Sequence, residues 1–322
     1  MILTITPNSL LERRLVFNSI LNGAVNRSRT EYFYAGGKGI NVSRQLNQLG
    51  IKNQALTFLG GNNGKLLRKT LENESINFNA VNTKDETRWA AVTIDESKKE
   101  ITSFFSQNSE PSENEVDEFI QKMDKAIQNC SIVLFAGSSP NKTAQRIFTE
   151  GIELANKYDK ISFIDTYGEH LKECIEKSPF ALHNNKKEIE NSLGVELESE
   201  QDILNFLDSL YSKNIKMAFI TDGKNEVYSS KFDFHYKTKP PAIKSFNPLG
   251  SGDAFVAGII YGIERSLVYN DSLKLAVALG ALNTQQFDAA NVKLEDTEML
   301  LENIEVQSVG KKMKLIDDSP NY

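Results

Sequence analysis

Short apolar segments alternate with amphipathic ones along most of this chain, and that alternation restricts the fold more than any other feature. Residues 1–6, 55–59, 132–135, 161–164 and 217–220 read as strands. Between them Leu66, Leu67 and Leu71, then Val116, Phe119, Ile120, Met123 and Ile127, then Ile147, Phe148 and Ile152, then Ile203, Phe206, Leu207 and Leu210 recur at helical spacing. Residues 273–282 form a further apolar helical run. Strands that are apolar throughout and joined by helices build a parallel sheet covered on both faces. Ligands of such sheets bind in the loops at the carboxyl ends of the strands. A chain of 322 residues with 40% apolar side chains is long enough to bury a large core of this kind.

Two stretches break the alternation. Residues 12–35 are polar, partly alternating and rich in arginine (Arg13, Arg14, Arg27, Arg29). In residues 87–106, Ala91-Val92-Thr93-Ile94 and Ile101-Thr102-Ser103-Phe104 flank a polar run, a hairpin pattern. Two such patches around an α/β segment predict a small sheet laid over the main body as a lid that excludes water; edge strands of the main sheet are the alternative. The expected division is a body of residues 1–11, 36–86 and 107–322 and a lid of residues 12–35 and 87–106. The polar stretch 308–322 reads as a frayed end or a late strand.

Chemistry is written most plainly at Asn247-Pro248-Leu249-Gly250-Ser251-Gly252-Asp253-Ala254-Phe255. A glycine-rich turn runs into an apolar helical stretch in which Phe255, Ile259 and Ile263 suggest one buried face. Unpaired N–H groups at a helix N-terminus attract an anion. A carboxylate beside such a hole, Asp253, can take a proton from a hydroxyl while the amides hold developing negative charge. The same aspartate could instead simply cap a buried helix.

A second glycine-rich turn, Ala35-Gly36-Gly37-Lys38-Gly39-Ile40-Asn41, opens a helix with Val42, Leu46 and Leu49 on one face. Lys38 supplies charge, and Asn41 can both donate and accept hydrogen bonds. Neither this turn nor Gly60-Gly61-Asn62-Asn63-Gly64-Lys65 has the spacing of a dinucleotide fingerprint or a P-loop. Net charge is 37 − 43 = −6 with no long basic block, so neither nucleic acid nor an anionic membrane is an expected partner. No apolar run reaches membrane-spanning length and the N-terminus does not read as a signal peptide. Cys130 and Cys174 lack metal-ligand spacing and read as buried free thiols of a cytoplasmic protein.

Gly250 to Gly258 resembles the C-terminal signature of the ribokinase-like (PfkB) sugar kinases, and Ala35 to Arg44 resembles their N-terminal signature, in particular that of the 1-phosphofructokinase and tagatose-6-phosphate kinase branch. The resemblance spans nearly the whole chain. It implies a ribokinase-like three-layer α/β/α fold with a mainly parallel central sheet and a small β-sheet lid. It implies Asp253 as catalytic base and Gly250, Ser251 and Gly252 as the anion hole. Gly37, Lys38 and Asn41 would contact the sugar phosphate, with Arg27 and Arg88 gripping its phosphate, which suits bidentate arginine contacts. Ser138, in Ala136-Gly137-Ser138-Ser139-Pro140, would face the substrate, and Asp165-Thr166-Tyr167-Gly168 matches a further family loop. Asn185 and Glu188 match the Asn-x-x-Glu motif that orders Mg²⁺ through its waters. Thr221, Gly223 and Asn283 resemble ATP-site positions.

The chain also departs from the family pattern. Glu12 stands where an aspartate holds sugar hydroxyls, His183-Asn184-Asn185 replaces Lys-Pro-Asn, Pro248 replaces a threonine and Phe105 an asparagine. The implied activity is ATP- and Mg²⁺-dependent phosphorylation of a ketohexose phosphate of the tagatose 6-phosphate or fructose 1-phosphate type, with a homodimer through the lid. The alternatives are a weakly active or non-catalytic sugar-phosphate-binding protein of the same fold, or a kinase for an unphosphorylated sugar or nucleoside. A dehydrogenase is remote.

Overall fold

A computed structural model of the chain describes residues 1–310. From the N-terminus the chain forms β1 (Ile2–Thr6), β2 (Leu10–Phe17), β3 (Thr30–Gly36), α1 (Lys38–Gln48), β4 (Asn53–Gly60), α2 (Gly61–Asn73) and β5 (Phe78–Thr83). Next come β6 (Trp89–Asp95), β7 (Glu100–Phe105), α3 (Glu113–Gln128), β8 (Ile132–Ala136), α4 (Arg146–Lys157) and β9 (Ile161–Asp165). Then follow α5 (Leu171–Glu176), β10 (Ala181–Asn185), α6 (Lys186–Leu193), α7 (Glu200–Ser212) and β11 (Met217–Thr221). The chain closes with β12 (Val227–Lys231), β13 (Phe234–Thr238), α8 (Ser251–Glu264), α9 (Tyr269–Asn283), α10 (Glu298–Leu301) and β14 (Val306–Val309). Of the polar stretch 308–322, its first residues close β14, and residues 311–322 lie outside the described residues.

Among the described residues, ten strands form one sheet in the order β14-β13-β12-β11-β10-β9-β8-β1-β4-β5. The seven from β11 to β5 are parallel, and β12 to β14 add an antiparallel edge. Strand period places alternate side chains on opposite faces. Leu3, Ile5, Val133 and Phe135 join α3 to α7 in one core, and Ile2, Ile132, Leu134 and Ala136 join α1, α8 and α9 in the other. Each such fully buried Leu, Ile, Val or Phe side chain contributes about 1.5–3 kcal/mol by leaving water. Chain order reverses at β1, whose next sheet neighbour in sequence, β4, lies on one side and β8 on the other. That crevice is where doubly wound sheets hold ligands.

The two polar patches form a separate four-stranded sheet, β3-β2-β6-β7, and not an edge of the main one. Its register puts Tyr34, Glu12, Ala90 and Phe105 in one row, with Tyr32 and Arg14 in the next row of the same face. Strand β10 carried no strand pattern in the sequence because three of its five residues are His183, Asn184 and Asn185; the burial of His183 and Asn184 serves the crevice and not the core. The single apolar face expected of α8 is corrected. The helix is buried from Asp253 to Ile260 on nearly every side, while Ile263 is only partly buried. The reason is that α8 packs against α1, α9 and the sheet at once. Cys130 and Cys174 are buried and free, and no helix among the described residues is long and apolar enough to cross a membrane.

Candidate active site

The turn before α8 owes its shape to Gly250, the N-cap residue, which sits in the left-handed region at φ 79°. A side chain there would be strained, and a Cβ would lie 2.6 Å from that of Ala289. The turn is braced by two asparagine side chains. Asn247 Oδ1 accepts from the Leu249 amide at 3.1 Å. Asn283 Nδ2 donates to Leu249 O at 2.7 Å and to Ser251 Oγ at 3.1 Å, while its Oδ1 accepts from the Ala290 amide at 2.6 Å. Among the described residues, the amides of Gly250, Gly252 and Asp253 have no acceptor, so they are the orphan donors expected of a helix start.

Asp253 stands in the first turn of α8 and is 5% exposed. It is not the cap. Its Oδ2 accepts from Asn41 Nδ2 at 2.7 Å, and Asn41 Oδ1 in turn accepts from Arg44 Nη1 at 2.7 Å. Burial pushes the Asp253 carboxyl up to about 7, and the nearby Asp165 charge pushes the same way against Lys38 and the Asn41 hydrogen bond. A carboxylate poised there suits a general base at neutral pH.

Lys38, in the first turn of α1, does not stand alone. Its Nζ lies 2.8 Å from Asp165 Oδ1 at the end of β9 and 2.8 Å from Glu188 Oε1 on α6. Burial would lower its amine, but the two carboxylates hold it above its usual value. Burial likewise favours a neutral Asp165, but Lys38 and His183 hold that carboxyl below the usual range. His183 is sandwiched between Asp165 Oδ1 at 3.2 Å and Thr221 Oγ1 at 3.3 Å and stacks on Phe255. Asn185 and Glu188 form the capping box of α6: Asn185 Oδ1 accepts from the Glu188 amide and Glu188 Oε2 from the Asn185 amide. Asp165 Oδ2 and Asn184 Oδ1 are buried acceptors without a partner among the described residues. This all-oxygen donor set fits a hydrated hard cation.

A second cluster lies at the ends of β1 and β8. Asn8 Nδ2 donates to Ser138 Oγ at 2.9 Å and to Asn108 Oδ1 at 3.1 Å. Arg88 donates to Asn8 O at 2.7 Å and Asn108 Oδ1 at 3.2 Å, while its Nε is buried and unpartnered among the described residues. Burial holds the Arg88 guanidinium below its usual value, with Tyr167 and Glu12 close enough to oppose that. Glu12 accepts from Arg14 on the small sheet.

The remaining candidates separate. Arg27 is exposed in the loop after β2 with no hydrogen bond or ion pair among the described residues. Gly37 is the N-cap of α1, and Thr221 and Gly223 lie at and just after the end of β11. The expectation that Asn283 faces ATP meets a different geometry: the side chain is fully buried and its amide is spent on the glycine turn. The sequence reading missed Arg14, Arg44, Asn8 and Asn108. For Arg14 a signal existed, since Glu12 and Arg14 are two apart in a strand and so share a face.

The family model for pfkB family carbohydrate kinases matches residues 10–297. The chain is 26% identical over 312 residues to a 1-phosphofructokinase of Borreliella burgdorferi, covering 96% of this chain and 99% of that one. Its fold matches that of a possible 1-phosphofructokinase from Thermotoga maritima with a TM-score of 0.88 at 24% identity, covering 96% and 100% of the two chains. It also matches phosphofructokinase-2 from Escherichia coli with a TM-score of 0.85 at 22% identity, covering 94% and 98%.

Proposed function

The chain belongs to the pfkB family of carbohydrate kinases, and from that premise we propose that it transfers a phosphoryl group from ATP to a free hydroxyl of a ketohexose phosphate. The observation that carries this reading is Asp253, buried and hydrogen-bonded by Asn41 beside three amides that have no acceptor among the described residues. The Borreliella burgdorferi relative, named 1-phosphofructokinase, puts fructose 1-phosphate first among substrates and tagatose 6-phosphate second.

Asp253 takes the proton from the acceptor hydroxyl as its oxygen attacks the terminal phosphorus of ATP and ADP departs, and the amides of Gly250, Gly252 and Asp253 hold the transferring phosphoryl group. Arg88 holds the substrate's phosphate: its guanidinium faces Asn8 and Asn108 through one N–H of each terminal nitrogen, and its Nε–H is among the donors left without a partner among the described residues. Ser138 sits against Asn8 in the same pocket, and Arg27 would reach it only through movement of the loop after β2. Glu12 accepts from sugar hydroxyls. Lys38 and Asn41 act from α1, the lysine as the counter-charge of Asp165 and Glu188 and the asparagine by orienting the base. The nucleotide lies toward Thr221 and Gly223. Asn185 and Glu188 would hold Mg²⁺ through its waters, where the ion neutralises phosphate charge.

The small sheet serves as the lid over this crevice. Its outer side carries Phe33, Trp89 and Phe104, which are exposed large side chains and support a homodimer through the lid. Coupled assays of ADP release over a panel of hexose phosphates, with and without the phosphate group, test the reading. Turnover of a ketohexose phosphate supports it; turnover of free sugars or nucleosides alone would overturn it.

A further inference from the structure

Glu12 meets Arg14 on the inner face of the small sheet. Arg14 Nε and Nη2 both donate to the same oxygen, Glu12 Oε2, at 2.9 and 2.7 Å. Glu12 Oε1 carries no hydrogen bond among the described residues and lies in the space that a side chain at Gly36 would take, 2.7 Å from a Cβ there. One carboxylate oxygen is therefore clamped and the other presented.

Arg14 is itself held on every side, with its side chain 3% exposed. Its Nη1 donates to Phe287 O and to Asp288 Oδ1, both at 2.9 Å. Its guanidinium carbon lies 3.9 Å from the Tyr34 ring centroid, and that of Arg44 lies 4.0 Å from the same centroid. Tyr34 in turn donates to Ala289 O at 2.9 Å. Phe287 O also accepts from Asn247, whose side chain carries the Leu249 amide in the turn before Gly250. The arginine thus fixes Glu12 relative to the frame that holds Asp253.

We propose that Arg14 is a positioning residue for the sugar: it acts through Glu12, holding the longer glutamate so that Oε1 meets a substrate hydroxyl. This rests on the reading of the chain as a sugar-phosphate kinase. A planar fork can grip Glu12 and Phe287 O at once, whereas an ammonium cannot.

Steady-state kinetics of Arg14→Gln, Arg14→Lys, Glu12→Gln and the Arg14→Gln/Glu12→Gln double variant test it. Arg14→Gln is expected to raise KM for the sugar phosphate about 10- to 100-fold, the scale of a lost charge-assisted pair. KM for ATP and kcat at saturation stay unmoved, and Arg14→Lys falls between. The double variant is expected to lose no more than the worse single one. Additive losses, or KM values for ATP and sugar phosphate rising together, would overturn the proposal. Glu12→Asp covers the case in which Arg14→Gln does not fold. Shortening the side chain withdraws it from Arg14, so KM for the sugar phosphate must rise; wild-type affinity would overturn the proposal. An active wild-type enzyme with indifferent Arg14 variants sinks this inference alone. A wild-type protein that neither turns over nor binds, by calorimetry, any hexose phosphate sinks the kinase reading first.

Discussion

Asn41 Nδ2 lies 2.7 Å from Asp253 Oδ2, so the helix opened by one glycine turn holds the carboxylate opened by the other, 212 residues away. The two turns are one site because α1 and α8 pack side by side on the same face of the sheet.

Asp253→Asn should lower kcat by at least about 10²-fold, the usual scale for losing a general base. The same assay of ADP release reads it, and a near-wild-type rate would remove Asp253 from that role.

The pH profile of kcat/KM should fall on the acid side around pH 7, as Asp253, raised to about 7 chiefly by burial and then by Asp165, takes up a proton. Asn41→Leu removes the hydrogen bond that favours the charged form, so this limb should move to higher pH.

Stability should follow the opposite sign. A carboxyl whose folded pKa is raised contributes stability that is full below its unfolded value near 3.8 and is lost as pH rises through about 7. Asp253→Asn should therefore raise Tm at pH 8 and do so much less at pH 5. Equal shifts at both would show that the charge is not the source of the strain.

Arg88→Ala should raise KM for the sugar phosphate far more than KM for ATP, because the guanidinium faces Asn8 and Asn108 at the ends of β1 and β7 and not the Thr221 loop. Equal effects on the two would count against the pocket.

Lys38→Met leaves Asp165 buried at 0% exposure without its main counter-charge. Denaturant unfolding should show a loss of about 3 kcal/mol, the lower end for breaking a buried pair, since Lys38 itself is partly exposed. A loss below about 1 kcal/mol, the range of surface pairs, would mean that Asp165 finds water or another partner.

Local pattern determined a good deal by itself. The alternation of apolar strands and amphipathic helices defines the layered body, and the polar run at residues 91–104 announces a hairpin, because period and turn chemistry are written in neighbouring residues; that this hairpin stands in a sheet of its own and not at the edge of the main one was decided by strand pairing. The glycines at 250 and 252 likewise announce a turn at a helix start, and at Gly250 few other residues could take the observed φ of 79°. What only the tertiary structure decided is how each polar side chain spends its bonds. Lys38 meets Asp165 and Glu188 from 127 and 150 residues away. Asn283 turns inward to brace Leu249, Ser251 and Ala290. Arg14 closes on Glu12 and the chain at Phe287. A hydrogen bond or ion pair reaches only about 3 Å, and which groups come that close depends on how the sheet order and the helix packing fold distant segments together.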